Sequence, residues 1–268
     1  MICNLTGITS QPDNGRTRPV RVICEAPDGT EFEAYLKGPQ LGEKHFPCLL
    51  EREWFGGKLA RQLGLPCAMP MQIWLDPDVV AAAQDPILRS RLEAGPDILF
   101  GSLNGGPGWS LWSDAMAVSR DHAQLAAEIY VFDTIIQNWD RSSANPNLLV
   151  KGDRFLMIDH GEAFVEATAD EAERDYTPVP WTLGGVVNYE GEYEMHPLWS
   201  KLRPKNRVDF VAVADRWKAL PDDIFALIAA DVPECWSKVT ASRIVAYMTE
   251  AMENMNEIVA NIEHNFDR

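Results

Sequence analysis

Apolar and polar residues alternate in two runs near the start of this chain, and then the period changes. Val20, Val22 and Cys24 form the first run and Phe32, Ala34 and Leu36 the second, with the turn-forming Pro27-Asp28-Gly29-Thr30 between them. This pattern predicts a β-hairpin that ends at Lys37. Over 51–66 the spacing becomes helical, with Leu50, Trp54, Leu59 and Leu63 available for one face and Gly64 with Pro66 as a stop signal. Ile98-Leu99-Phe100 reads as a further strand, and Asn104-Gly105-Gly106-Pro107-Gly108 as an irregular connection. Leu125, Ile129, Phe132 and Ile136 then recur at four, three and four residues, so an amphipathic helix delivers the chain to Asn138. Strand-like runs at 147–150 and 154–158 follow, joined by Lys151-Gly152-Asp153, which predicts a second hairpin.

Beyond this hairpin, 166–188 is acidic and then rich in Pro, Thr and Gly, as expected of an activation-type or substrate loop. Residues 208–219 and 222–230 read as short helices, and 236–261 as a longer one with Ile244, Met248, Met252, Met255 and Val259 along one side. That methionine stripe is a packed face. Trp181, Trp199, Trp217 and Trp236 favour a dense aromatic core in this half. The fold class is therefore α+β, with a smaller β-rich part over residues 1–102 and a mainly helical part over 103–268.

The formal net charge of −16 opposes direct nucleic-acid binding, because a phosphate backbone would be repelled. The densest basic run, Lys201, Arg203, Lys205 and Arg207, reads as a solvated loop. Cys3, Cys24, Cys48, Cys67 and Cys235 are scattered, odd in number and without metal-site spacing, which fits a reducing compartment. The N terminus has no basic segment followed by a long apolar core, and no apolar run reaches the ~18 residues of a membrane span. The expectation is a cytoplasmic protein that does not enter a membrane.

The candidate chemistry lies around the second hairpin. Phosphoryl transfer needs one carboxylate to orient the acceptor, and an amide oxygen with a second carboxylate to hold the magnesium that screens the phosphates. Asp140, Asn145 and Asp159 supply that set. Asn147 offers a second amide, and spacing favours Asn145. A phosphate-binding lysine paired with a helix glutamate is also required, and Lys37 with Glu53, or alternatively Glu51, meets that need. Backbone amides from Gly15 to Thr17, with the Thr17 hydroxyl, form a candidate phosphate-facing turn, although neither Gly-x-Gly-x-x-Gly nor a Walker sequence is present. His160 reads as a structural donor that fixes the Asp159 loop.

Asn138-Trp139-Asp140-Arg141-Ser142-Ser143-Ala144-Asn145 and the later Ile158-Asp159-His160-Gly161 resemble the HipA-like kinases, and behind them the atypical kinases related to phosphatidylinositol kinases. The resemblance covers residues 14 to about 165, and departs from many relatives at Ser142, where a histidine is common. It implies a two-lobed protein-kinase-like fold with Asp140 as the catalytic aspartate, Asn145 and Asp159 as metal ligands, and Glu53 as the partner of Lys37. It also implies ATP and Mg2+ as cofactors, and a Ser or Thr hydroxyl of a protein as acceptor. A lipid or small-molecule acceptor, or a catalytically silent nucleotide-binding module, are the alternatives. HipA-like proteins often act as toxins beside a DNA-binding partner, so an antitoxin-like or regulatory partner would be a separate protein.

Overall fold

The two alternating runs become adjacent strands of a closed five-stranded barrel. In the computed structural model, which describes residues 2–10, 17–42, 44–170, 173, 177–186, 195–202 and 208–266, the barrel consists of β1 (Ile2–Ser10), β2 (Val20–Glu25), β3 (Glu31–Lys37), β4 (Pro70–Trp74) and β5 (Ile98–Leu103). Their order is β1-β2-β3-β5-β4, closed by a short parallel pairing of Ile2–Asn4 with Gln72–Trp74. Cys3, Leu5, Val20, Val22, Cys24, Ala34, Leu36, Ile73 and Leu99 are almost wholly shielded from solvent. Lys37 lies at the end of β3, opposite Phe100 of β5.

The first helix, α1 (Leu49–Gln62), carries Gly56 and Gly57 mid-span, where each glycine costs about 1 kcal/mol relative to alanine. Close packing explains both. A Cβ on Gly56 would lie 2.5 Å from the Cβ of His160, and one on Gly57 would lie 3.0 Å from the Cβ of Pro70. The helix ends earlier than its predicted span. Gly64 adopts φ +65°, its N–H donates to Arg61 O, and Leu65 N donates to Ala60 O, the paired bonds of a Schellman stop. Short helices α2 (Pro77–Ala81) and α3 (Pro86–Glu93) lead into β5.

The strand expected at 98–100 is β5, but it is flanked by β3 and β4, so the sheet occupies its backbone. The chain leaving the sheet through Leu103, Asn104, Gly105 and Gly106 lines a cleft.

Past that connection, β6 (Ser110–Leu111) joins β7 (Leu148–Lys151) and β8 (Arg154–Met157) in a small sheet. The β7–β8 turn is tight, with Gly152 at φ +63°. Helix α4 (Ala123–Ile135) runs through the core and ends just before the loop at 138–147. The α-helices that follow among the described residues are α5 (Val165–Thr168), α6 (Phe210–Lys218), α7 (Ile224–Ala230), α8 (Lys238–Glu253) and α9 (Met255–Phe266). The single helix expected over 236–261 is two. Asn254, at φ −105° and ψ 21°, leaves helical geometry while its N–H and side chain both return to Glu250 O. The bend lets Met248 and Met255 stay buried on successive helices. Trp217 stacks on Phe132 at 6.0 Å, and Trp236 meets Trp54 edge-on at 6.2 Å, tying this half to α1.

Candidate active site

Lys37 is 5% exposed, and its ammonium joins two elements that are far apart in sequence. Nζ lies 2.5 Å from Oε1 of Glu53 on α1 and 2.8 Å from Oδ1 of Asp159 just past β8. Glu53 completes its bonding by accepting His160 N at 3.1 Å, and Gly161 N donates to Asp159 Oδ1 at 3.3 Å. Burial opposes the charge on Lys37, but the two carboxylates outweigh it and raise its pKa. Burial likewise opposes ionisation of Asp159, yet Lys37 holds its pKa well below the usual carboxylate range. Burial pushes Glu53 the other way, to about 7, with Lys37 pulling back against it. The corner thus sets one cation against two carboxylates, and Asp159 and Lys37 both face the cleft.

Glu51 points elsewhere. Its Oε1 accepts Ser237 N at 2.6 Å, at the N-cap of α8. Only one residue separates it from Glu53, and packing gives them different partners.

A second cluster forms on the loop after α4. Asn145 Nδ2 and Asn147 Nδ2 donate to the same oxygen of Asp140, Oδ2, at 2.7 and 2.9 Å. Asn145 N bonds back to Ser142 O, which closes a small turn. Asn147 and Asp159 both adopt left-handed backbone, at φ +45° and +60°, which Asn and Asp tolerate better than most residues. Ile158 N donates to Asn147 O at 3.1 Å, so Asn147 touches Asp140 with its side chain and the strand leading to Asp159 with its backbone. Asn145 is exposed and Asn147 buried.

A buried ionic network fixes the two clusters relative to each other. Arg141 Nε lies 2.7 Å from Asp133 Oδ2 on α4, its Nη1 donates to Asn147 O and Ile158 O, and its Nη2 meets His160 Nε2 at 3.3 Å. A guanidinium carries only donors, so His160 Nε2 is the acceptor and the ring is neutral. The ring hydrogen is then on Nδ1, and the backbone N–H of His160 donates to Glu53 Oε2, beside Asp159. Burial, with Arg141 beside the ring, pushes the imidazole pKa down to about 3. Asn138 Nδ2 donates to Asp133 Oδ1 at 3.0 Å and reaches Asp159 O at 3.4 Å. His196 Nε2 lies 3.0 Å from Asp133 Oδ2. Burial opposes the charge of Asp133, but Arg141 and His196 hold its pKa below the usual value.

The cleft beside Lys37 has a volume of about 360 Å³ and is lined by Tyr35, Leu103, Trp109, Leu149, Leu156 and Ile158 among others. Its mix of aromatic and aliphatic walls with one charged end suits a planar base carrying an anionic tail. Trp109 Nε1 donates to Gly105 O at 2.9 Å and holds the connection against the hairpin. Thr17 is half-buried and makes no hydrogen bond among the described residues, whereas its neighbour Pro19 lines the cleft. Gly15 lies outside the described residues.

A hard divalent cation prefers oxygen ligands and needs only one or two protein carboxylates when phosphates supply the rest. The surplus carboxylate at Asp159, with the Asn145 and Asn147 amides nearby in the chain, fits that donor type. No group of three or more His, Cys, Asp or Glu side chains forms a metal cage among the described residues.

Sequence reasoning missed Asp133 and His196. Asp133 carried a usable signal, the one acid within the largely apolar Ile129–Ile136 run, whereas His196 lies 63 residues away with no local mark.

A family model described as HipA-like kinase matches residues 5–176. No curated protein matches the chain. Among solved structures, the fold is similar to that of the proinflammatory kinase CtkA of Helicobacter pylori, with a TM-score of 0.58 and 10% identity, over 98% of this chain and 97% of that one.

Proposed function

This chain belongs to the HipA-like kinase family, and on that premise we propose that it transfers the γ-phosphoryl group of ATP to a hydroxyl, that of a protein Ser or Thr, with magnesium. The observation that carries the reading is the placement of Lys37 between Glu53 and Asp159 at the charged end of a mainly apolar cleft. Residues 1–102 and 103–268 act as two lobes, with the cleft between barrel and hairpin as the nucleotide site.

Lys37, oriented by Glu53, meets the phosphates as a fixed positive charge. Asp159 and the Asn145 amide would hold magnesium, which neutralises phosphate charge when bound. Asp140 has one oxygen engaged by two amides, which leaves Oδ1 to orient the acceptor hydroxyl and take its proton. The acidic surface and the absence of a DNA-binding unit in the sequence favour a protein substrate over nucleic acid, and leave any antitoxin-like role to a separate protein. Its unpaired cysteines support a cytoplasmic setting.

The test is incubation with γ-labelled ATP and magnesium beside an Asp140→Ala variant, following nucleotide hydrolysis and label on protein. Label or turnover that requires Asp140 supports transfer. Magnesium-dependent binding with no product points to the silent nucleotide-binding module, and no binding at all overturns the kinase reading.

A further inference from the structure

One wall of the cleft beside Lys37 is the connection from β5 to β6, contributed by Ser102, Leu103, Asn104, Gly105, Gly106 and Trp109. Within it, Gly106 N donates to Asn104 Oδ1 at 3.1 Å and Trp109 Nε1 to Gly105 O at 2.9 Å. Gly106 and Gly108 adopt φ +78° and +88°, which lets the chain double back. These bonds give the connection its form, and its placement depends on what fastens it at either end.

Two side chains do so. At the hairpin end, Lys151 Nζ donates to Pro107 O at 2.6 Å. At the barrel end, Asn104 donates its N–H to Glu33 O and its Nδ2 to Glu33 Oε2, both at 3.0 Å. Among the described residues, Glu33 is the one barrel side chain bonded to the connection. The same Oε2 accepts Arg21 Nη2 at 2.6 Å, which fixes the carboxylate from the β2 side. Both ionic side chains are partly exposed, where such a pair adds little stability. What it supplies is a direction for the carboxylate.

Glu33, Tyr35 and Lys37 share one face of β3 at a period of two. At 3.3 Å per residue, Glu33 stands about 13 Å along the strand from the phosphate-binding lysine. Tyr35 lies between them and lines the cleft. One strand therefore carries the lysine at the charged end and the fastening of Asn104 at the other.

We propose that Glu33 is a positioning residue for the nucleobase: by holding Asn104 it keeps the 103–109 wall in the form against which a planar base packs. A wall already held in that form costs little to order when the ligand arrives. Glu33 is not itself among the lining residues, so it acts through Asn104. The proposal rests on the reading of this cleft as a nucleotide site. Lys37, Glu53 and Asp159 make no bond to Glu33 or Asn104 among the described residues. The backbone of Glu33 pairs with Ile23 whatever its side chain, so β3 and Lys37 keep their register in a variant.

The test is calorimetric titration, with magnesium, of two probes: ATP, and inorganic tripolyphosphate, which offers phosphates and no base. Glu33→Ala should lose about tenfold in ATP affinity and stay within about twofold for tripolyphosphate. Glu33→Gln, whose amide oxygen still accepts Asn104 Nδ2, should stay within about threefold of the parent for both. Adding Glu33→Ala to Asn104→Ala should weaken ATP binding no further, because the two side chains act as one unit.

Unchanged ATP affinity in Glu33→Ala, an equal loss of both probes, failure of Gln to preserve ATP binding, or additive losses in the double variant would each overturn the proposal while the parent's ATP binding stands. A parent that binds ATP no better than tripolyphosphate places no base against this wall and overturns it too. A parent that binds neither probe overturns the nucleotide reading and the proposal together.

Discussion

Lys37 and Asp159 form an ion pair of 2.8 Å that joins the barrel to the β7–β8 hairpin. Asp159→Asn removes the surplus carboxylate and leaves Lys37 with Glu53 alone. We expect it to abolish magnesium-dependent nucleotide binding measured by calorimetry, while Asp140→Asn keeps affinity within about threefold and loses transfer. Equal losses in both variants would contradict the division of roles.

Glu51 and Glu53 share a helix and separate cleanly by partner. Glu53→Gln should weaken nucleotide binding about tenfold, because Lys37 loses half of its buried counter-charge. Glu51→Ala leaves Ser237 N without its acceptor and should cost about 1–3 kcal/mol of stability with nucleotide affinity unchanged. Urea denaturation beside nucleotide titration distinguishes them.

Arg141 is fully buried with Asp133, and removing one member of such a pair leaves an uncompensated charge. Arg141→Ala should destabilise the fold by about 3–5 kcal/mol, read from the urea midpoint. A loss below about 1 kcal/mol would mean that water or a rearranged side chain replaces the guanidinium.

Acid should weaken the fold through its buried histidines. Burial lowers the folded-state pKa of His160 from 6.5 to about 3, and that of His196 also falls. Between those values the unfolded chain binds more protons than the folded one, so stability is fully present above pH 6.5 and is lost as pH falls towards 3. Denaturation midpoints at pH 7.5, 6 and 5 should decline in that order, and His196→Gln should flatten the decline.

Much of this arrangement was legible because it is local. Alternation at Val20–Cys24 and Phe32–Leu36 marks a hairpin whoever its neighbours are, and the run from Asn138 to Asn145 carries its spacing within one loop. Contacts set by packing were not legible. Helical spacing alone does not distinguish Glu51 from Glu53; the family resemblance favours Glu53, and in the fold α8 arrives beside one and the barrel beside the other. Ile98-Leu99-Phe100 looks the same whether its edge is free or paired, and only the closure of the barrel decides it. Asn254 sits within an unbroken apolar period, so the bend there has no signature. His196 and Asp133 meet only after the helical half has folded.

Gly56 rests on His160 with no room for a methyl group, and Leu49 of the same helix would clash with any side chain at Gly161. The helix bearing Glu53 and the loop bearing Asp159 are consequently mortised together. Swinging that helix outward, a common means of disarming a phosphate-binding lysine, would here strip cover from a buried imidazole and a leucine at once. An off state reached by that route is costly for this molecule, and control of its output falls more cheaply on whatever reaches the acceptor side.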